Sequence, residues 1–253
     1  MSKSWGAVLR GDDNDLQDWC DMLKPPFDPW VEVHGTDHVL RSASLDDLTS
    51  ASEVRDRVVA HIERLNGAMS VMRDCQPLQF SGVAEITPEG KVHRTVFAQG
   101  FGRLRLRAAA ATVTVGADGK PMPQPPPIPS EAQSWAAIAD GDDLLEDALI
   151  YFGRAFPPDP ARPPTFWFDL YNALECLMQR FGGGETAFLA LDWAPRNEVK
   201  LLKQTANWSR HARRKNPAPS NPTTEEQAKV LLRRLLRKAF EAAATVPPPL
   251  SQA

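Results

Sequence analysis

The segment TFWFDLYNALECLMQRF, residues 165–181, is the strongest amphipathic helix signal in the chain. Its apolar residues recur every three or four positions and are Phe166, Leu170, Leu174, Leu177 and Phe181. Thr165 can cap the start of the helix, and the glycines at 182–184 end it. Because one side of this helix is apolar over its whole length, it needs helical neighbours to cover it. The segment therefore predicts a helical bundle.

Other segments of the C-terminal half also have helical patterns. They are DDLLEDALIYFGRAF (142–156), ETAFLALDW (185–193) and RNEVKLLKQTANWSRHARR (196–214). A last helix is predicted to begin with a capping box formed by Thr223 and Glu226. Its inward residues are predicted to be Leu231, Leu232, Leu235, Ala239 and Ala242. Since strand signals are almost absent here, we expect this half to be all-helical.

The N-terminal half mixes strand and helix patterns. Strands are predicted at 30–34, 38–45, 79–86, 92–99 and 103–115. Helices are predicted at 11–23 and 50–65, and Asn66 with Gly67 is expected to stop the second one. We therefore expect an α+β domain, an antiparallel sheet with two helices on one side, followed by the all-α bundle.

A proline-rich segment divides the chain. GADGKPMPQPPPIPS (116–130) has six prolines within ten residues, which removes backbone donors and favours an extended connector. We predict an α+β domain at 1–116, a linker at 117–131, a helical bundle at 132–246 and a flexible tail at 247–253. The alternative is a long loop inside one domain whose acidic and basic halves pack together.

Composition limits the classes of protein. The chain is 42% hydrophobic and 24% charged, as is usual for globular proteins. Cys20, Cys75 and Cys176 are widely separated, which is typical of reduced thiols in the cytosol. The first residues contain no apolar signal-peptide core, and no apolar run reaches the ~20 residues that a membrane span needs. We expect a cytoplasmic protein with no membrane partner and no cofactor.

The segment HGTDH, residues 34–38, offers metal-ligand side chains close together. On a strand–turn–strand, however, His34 and His38 need not converge, and no third or fourth ligand is evident. We therefore predict no metal site.

The formal charge of −3 hides an asymmetry. Between residues 196 and 238 twelve lysines and arginines stand against three acids. This pattern favours an anionic partner, or docking of the two halves on each other; the alternative is a solvated basic face. Trp208 lies among these residues and is either a core residue or a stacking platform for an unpaired base. The predicted contacts for RNA, another nucleic acid or an acidic protein are Lys200, Lys203, Arg213, Arg214, Lys215, Arg233, Arg234, Arg237 and Lys238.

The run FDLYNALECLMQRFGGG, followed by TANWSRHARRKN and a capped final helix, resembles bacterial HEPN-like proteins. In these proteins an "LY..LE.L" helix precedes a helix that ends in "N..RH". The resemblance covers about the last 110 residues. It implies a helical bundle that is often a homodimer. It also implies either a metal-independent RNase of toxin and anti-phage systems, or a module that binds nucleotides or acts as a scaffold.

RNase members of this family use an arginine, a polar residue and a histidine four to six positions beyond the arginine. Arg210 and His211 match the start of that motif. The positions where the family's histidine should lie, residues 214–216, are Arg-Lys-Asn instead. We therefore expect a HEPN-like module that binds RNA or another phosphate-bearing partner in bacterial defence or stress response. One alternative is an RNase that uses Arg210 and His211, with Asn207 as an orienting group. The other is a protein-interaction module with a basic docking face.

Overall fold

The computed structural model describes residues 4–87, 91–96, 127–155, 165–210 and 218–245. Over these ranges the N-terminal half is an antiparallel sheet with helices, and the C-terminal half is helical. The predicted fold class is confirmed. Within the described ranges, none of the helices combines the length and the apolar character that a membrane span requires.

The sheet has five strands in the order β2-β3-β1-β4-β5, and every neighbouring pair is antiparallel. The strands are β1 (Ser4–Arg10), β2 (Trp30–His34), β3 (Asp37–Arg41), β4 (Gln79–Ile86) and β5 (Val92–Val96). The sequence did not predict β1, although it is the central strand. Five of its seven residues in succession are buried, so it lacks the apolar–polar alternation of a half-exposed strand.

Two pairs of predicted strands, β2 with β3 and β4 with β5, pair as antiparallel neighbours, and β3 is shorter than predicted. Ser42 accepts a hydrogen bond from the backbone of Ser44 at 3.3 Å and starts the short helix α2 (Ala43–Asp46). The strand predicted for 38–45 therefore ends at Arg41. A serine that can cap a helix competes with strand extension, because its side chain satisfies a helical N–H.

Two longer helices cover one face of the sheet. α1 (Asp13–Met22) begins after Asp12, whose carboxylate accepts from Asn14, and it confirms the predicted helix. α3 (Ala51–Met72) begins with a reciprocal capping box between Ser50 and Glu53. Buried residues of the sheet and of these helices form the N-terminal core; they include Trp5, Leu9, Trp19, Leu40, Val58, Leu65 and Val83.

The predicted end of α3 at Asn66 and Gly67 is wrong, because the helix continues to Met72. Both residues serve the tertiary structure. The Asn66 amide donates to the carbonyl of Leu78 at 2.9 Å, and its oxygen accepts from the Leu78 N–H at 2.7 Å. Gly67 lies against α5, so that a β-carbon there would be only 2.1 Å from the carbonyl oxygen of Leu149.

The C-terminal half contains helices of very different length. They are α4 (Glu131–Asp140), α5 (Asp143–Arg154), α6 (Phe166–Gly182), α7 (Glu185–Ala190), α8 (Arg196–Arg210) and α9 (Glu225–Thr245). Their shared core contains Leu149, Phe152, Leu170, Leu174, Leu177, Leu202, Leu232, Leu235 and Phe240. α4 begins at the last residue of the predicted linker and was not predicted. The other helices of this half confirm predicted segments.

The ends of two helices test the capping predictions. Gly183 has a φ of 63° and ends α6, as predicted, because glycine adopts this left-handed conformation easily. The capping box of α9 is formed by Thr224 and Gln227, one residue later than predicted. The N–H of Thr223 instead donates to the hydroxyl of Thr205 on α8 at 3.0 Å. This tertiary contact shifts the cap.

The two halves of the chain contact each other closely. A β-carbon on Gly153 of α5 would be 2.9 Å from the backbone nitrogen of Gly67 on α3. Ala132 and Ala136 of α4 belong to the N-terminal core. The side-chain amide of Gln133 donates to backbone carbonyls of the segment before β2, among them Pro29 at 2.9 Å.

A buried polar network also crosses between the halves. Arg64 of α3 is 4% exposed and donates to Asp140 of α4 at 2.7 Å and to Nδ1 of His61 at 3.0 Å. Because a guanidinium only donates, Nδ1 must accept, and Nε2 carries the proton towards the Ser44 hydroxyl 3.2 Å away. Burial, together with the charge of Arg64, lowers the pKa of His61 to about 4.

Several predictions lie outside the described residues. They concern the strand at 103–115, most of the linker at 117–131 and the tail at 247–253.

Candidate functional site

The two helices with the HEPN-like motif residues, α6 and α8, pack against each other. At the end of α8 the guanidinium carbon of Arg210 lies 3.6 Å from the ring centroid of Tyr171 on α6. The Nε of Arg210 donates to the side-chain oxygen of Asn207 at 3.0 Å. The fold therefore brings together Asn207 and Arg210, which were predicted as site residues, and Tyr171, which was only part of the quoted motif.

Local sequence spacing explains this arrangement. Lys200, Lys203, Asn207 and Arg210 follow one another at intervals of three or four residues, so they lie on one stripe of α8. The buried residues Val199, Leu202 and Ala206 form the adjacent stripe, which packs into the core. We call Tyr171, Glu175, Lys203, Asn207 and Arg210 the α6–α8 cluster.

The α6–α8 cluster contains both signs of charge. Burial, together with the Glu175 carboxylate, raises the pKa of Tyr171, so the phenol is neutral at pH 7. Lys203 donates to Glu185 of α7 at 2.6 Å. Burial opposes the charge on Lys203, but the bond to Glu185 raises its pKa overall. The α6–α8 cluster and Glu185 thus combine two cations with two carboxylates.

Of the two cations in this cluster, Lys203 pairs with a carboxylate, whereas Arg210 pairs with no carboxylate of the described residues. Among the described residues its only hydrogen bond is the one from Nε to Asn207. Its side chain is partly exposed. A guanidinium has five donors, and no described residue accepts a hydrogen bond from the terminal N–H groups of Arg210. Lys200 is exposed on the same stripe and forms no ion pair within the described ranges.

The predicted cations of α9 divide between two faces. Arg233 donates to the carbonyl of Ser70 at 2.6 Å and pairs with Asp74, so it contacts the end of α3. Arg237 donates to Glu131 of α4 at 2.8 Å and to the carbonyl of Val71 at 3.4 Å. Both guanidinium groups therefore join the last helix to residues of α3 and α4.

The other two predicted cations of α9, Arg234 and Lys238, lie on a different face. Arg234 lies 3.8 Å from Glu198 of α8, and Lys238 donates to Glu241 at 2.7 Å. Beside Arg234, a cleft of about 370 Å³ between α8 and α9 is lined by Glu198, Glu226, Val230 and neighbouring residues. Carboxylates at this position interrupt the cationic surface that the sequence suggested for α8 and α9 together.

The other predicted site residues are His211, Arg213, Arg214 and Lys215, and all four lie outside the described residues. Trp208 is half-buried on α8.

The residues of HGTDH do not converge. His34 pairs with Asp37 across the turn, and His38 pairs with Val33, so the two histidines lie on opposite faces of the sheet. Within the described ranges, the one group with metal-ligand spacing is Asp15, Asp18 and Cys75. In this group the Cys75 thiol donates to the Asp18 carboxylate at 3.6 Å.

Sequence reasoning missed Tyr171 and Glu175 as site residues. The sequence did contain an indication of them: Tyr171 and Glu175 are polar side chains four residues apart, so they share one face of a helix that is otherwise rich in apolar residues. Only the packing of α6 on α8 shows that this face meets Arg210.

Comparisons of the chain with protein-family models, with curated proteins and with solved structures find no match. The HEPN-like resemblance therefore stays a prediction that rests on the motif residues.

Proposed function

We propose that the helical half is a HEPN-like module that binds RNA or another phosphate-bearing ligand at the end of α8. The observation that carries the proposal is Arg210, which contacts Tyr171 and Asn207 and whose terminal donors have no acceptor among the described residues. Charge-assisted bonds from a guanidinium to phosphate oxygens are among the strongest hydrogen bonds in proteins.

The neighbouring surface supports this proposal. Lys200 is exposed on the same stripe of α8 and adds a second cation for the phosphate backbone. Arg233 and Arg237 contribute less, because they bond to Asp74 and Glu131 within the chain. The expected binding surface is therefore smaller than the one proposed from the sequence, and it is centred on α8.

Fluorescence anisotropy tests the proposal. A labelled single-stranded RNA is titrated with the wild-type protein and with Arg210→Gln at about 50 and 200 mM salt. We expect wild-type affinity to fall steeply with salt, and Arg210→Gln to weaken binding about tenfold. The matched control is Arg55→Gln, since Arg55 is, like Arg210, a partly exposed arginine on a helix, and it bonds to its neighbour Asp56.

The outcomes separate the hypotheses. No binding of RNA at about 50 mM salt, or equal affinities of wild type and Arg210→Gln, would refute the proposal. The same samples are also run on a denaturing gel. Shortened RNA that disappears with Arg210→Gln would support the alternative RNase, which needs His211 as well.

A further inference from the structure

We propose that the α6–α8 cluster binds single-stranded RNA by stacking an unpaired base on Arg210. This inference rests on the proposed function and specifies its ligand. The inner side of the guanidinium is covered by the Tyr171 ring, whose centroid is 3.6 Å from the guanidinium carbon. Arg210 is partly exposed, and the opposite side of this planar group is the proposed stacking surface.

The first argument is that Arg210 is fixed before a ligand arrives. Its guanidinium packs on a ring that is itself buried, since Tyr171 is 5% exposed, and its Nε is bound by Asn207. A contact made by a side chain that is already ordered loses less conformational entropy than one made by a free arginine. Guanidinium planes are weakly hydrated and stack on aromatic faces, and unpaired RNA bases stack on them in the same way.

The second argument is the charge around the ring. Glu175 acts on the Tyr171 hydroxyl, and Glu185 is bound to Lys203, so the two carboxylates balance the two cations of the cluster. A neutral base on the outer face of Arg210 is not repelled by these carboxylates, whereas a phosphate in the same position would be. The face of the Arg210 guanidinium therefore suits a planar neutral group, whereas its in-plane terminal N–H groups can donate to phosphates that lie towards Lys200.

The substitution that tests this is Arg210→Lys, because lysine keeps the positive charge and loses the planar group. The ligands are a labelled single-stranded RNA decamer, the same decamer with abasic residues, and an RNA duplex of equal length. We expect Arg210→Lys to weaken binding of the intact decamer about tenfold. Binding of the abasic decamer should be weak with wild type and should not change with Arg210→Lys. The duplex should also bind weakly, because its bases are already stacked.

The matched control is Arg55→Lys, which should bind every ligand as wild type does. Circular dichroism of each variant checks that the fold is kept. If Arg210→Lys does not fold, the comparison of the intact and abasic decamers with wild type still tests the inference.

Equal binding of the intact and abasic decamers, or of wild type and Arg210→Lys, would overturn the base-stacking inference and leave phosphate binding in place. A duplex that binds as tightly as the intact decamer would also overturn it. If wild type binds none of the three ligands, the proposed function itself fails.

Discussion

Protonation of His61 should make the stability of this protein depend on pH below neutrality. His61 is 8% exposed and accepts a hydrogen bond from the Arg64 guanidinium through Nδ1. A second proton would have to occupy Nδ1 and face a positive charge in a buried position. For these reasons the pKa of His61 is lowered to about 4 in the folded protein.

The sign and size of the effect follow from proton linkage. In the unfolded chain a histidine takes up its proton below about pH 6.5, whereas folded His61 stays neutral until about pH 4. The contribution of His61 to the free energy of unfolding is therefore intact above about pH 6.5 and is lost as the pH falls from about 6.5 towards about 4. At 1.36 kcal/mol per pKa unit, the free energy of unfolding should fall by about 2 kcal/mol between pH 7 and pH 5 from this group alone.

Urea unfolding of wild type and His61→Gln at pH 7, 6 and 5 isolates this contribution from all other titrating groups. Glutamine cannot titrate, but it has an acceptor for Arg64 and a donor for Ser44. We expect the stability advantage of wild type over His61→Gln to shrink by about 2 kcal/mol from pH 7 to pH 5. His93→Gln, at an exposed position of β5, should follow wild type. A constant difference between wild type and His61→Gln at all three pH values would refute the reasoning.

Two further predictions concern the middle of α3, and urea unfolding measures both. Gly67→Ala should destabilise the protein by about 2 kcal/mol or more, because the new β-carbon would be 2.1 Å from the Leu149 carbonyl oxygen. Gly141→Ala is the control, since its nearest contact would be at 3.9 Å; a stabilising Gly67→Ala would contradict the close helix contact. Asn66→Ala should cost about 3 kcal/mol, because the buried N–H and C=O of Leu78 both lose their partner. A cost below about 1 kcal/mol would show that these two groups find other partners.

Short-range signals in the sequence predicted most elements correctly. The helices α1, α5 and α6 have acidic, glycine or capping residues at their ends and apolar residues at helical spacing between them. The hairpin of β2 and β3 turns at Gly35, whose φ is 62°. These features depend on residues that are close in the chain, so the sequence can be read locally.

Elements that depend on distant partners were predicted less well. β1 is buried because β3 and β4, which come much later in the chain, pair with its two edges. The end of α3 was placed too early because glycine usually weakens a helix, whereas Gly67 is kept by its contact with α5. The cap of α9 was displaced by one residue because Thr205 of α8 takes the N–H of Thr223.

The candidate site also combines features that depend on local sequence with features that depend on distant residues. Sequence alone selected Asn207 and Arg210 and a basic segment around them, because motif residues and charge are local properties. Only the tertiary structure decided that Arg210 lies on Tyr171 and that Arg233 contacts the end of α3. The physical reason is that a side chain's partner depends on which helix faces packing brings together, and burial of apolar surface far from the site determines that packing.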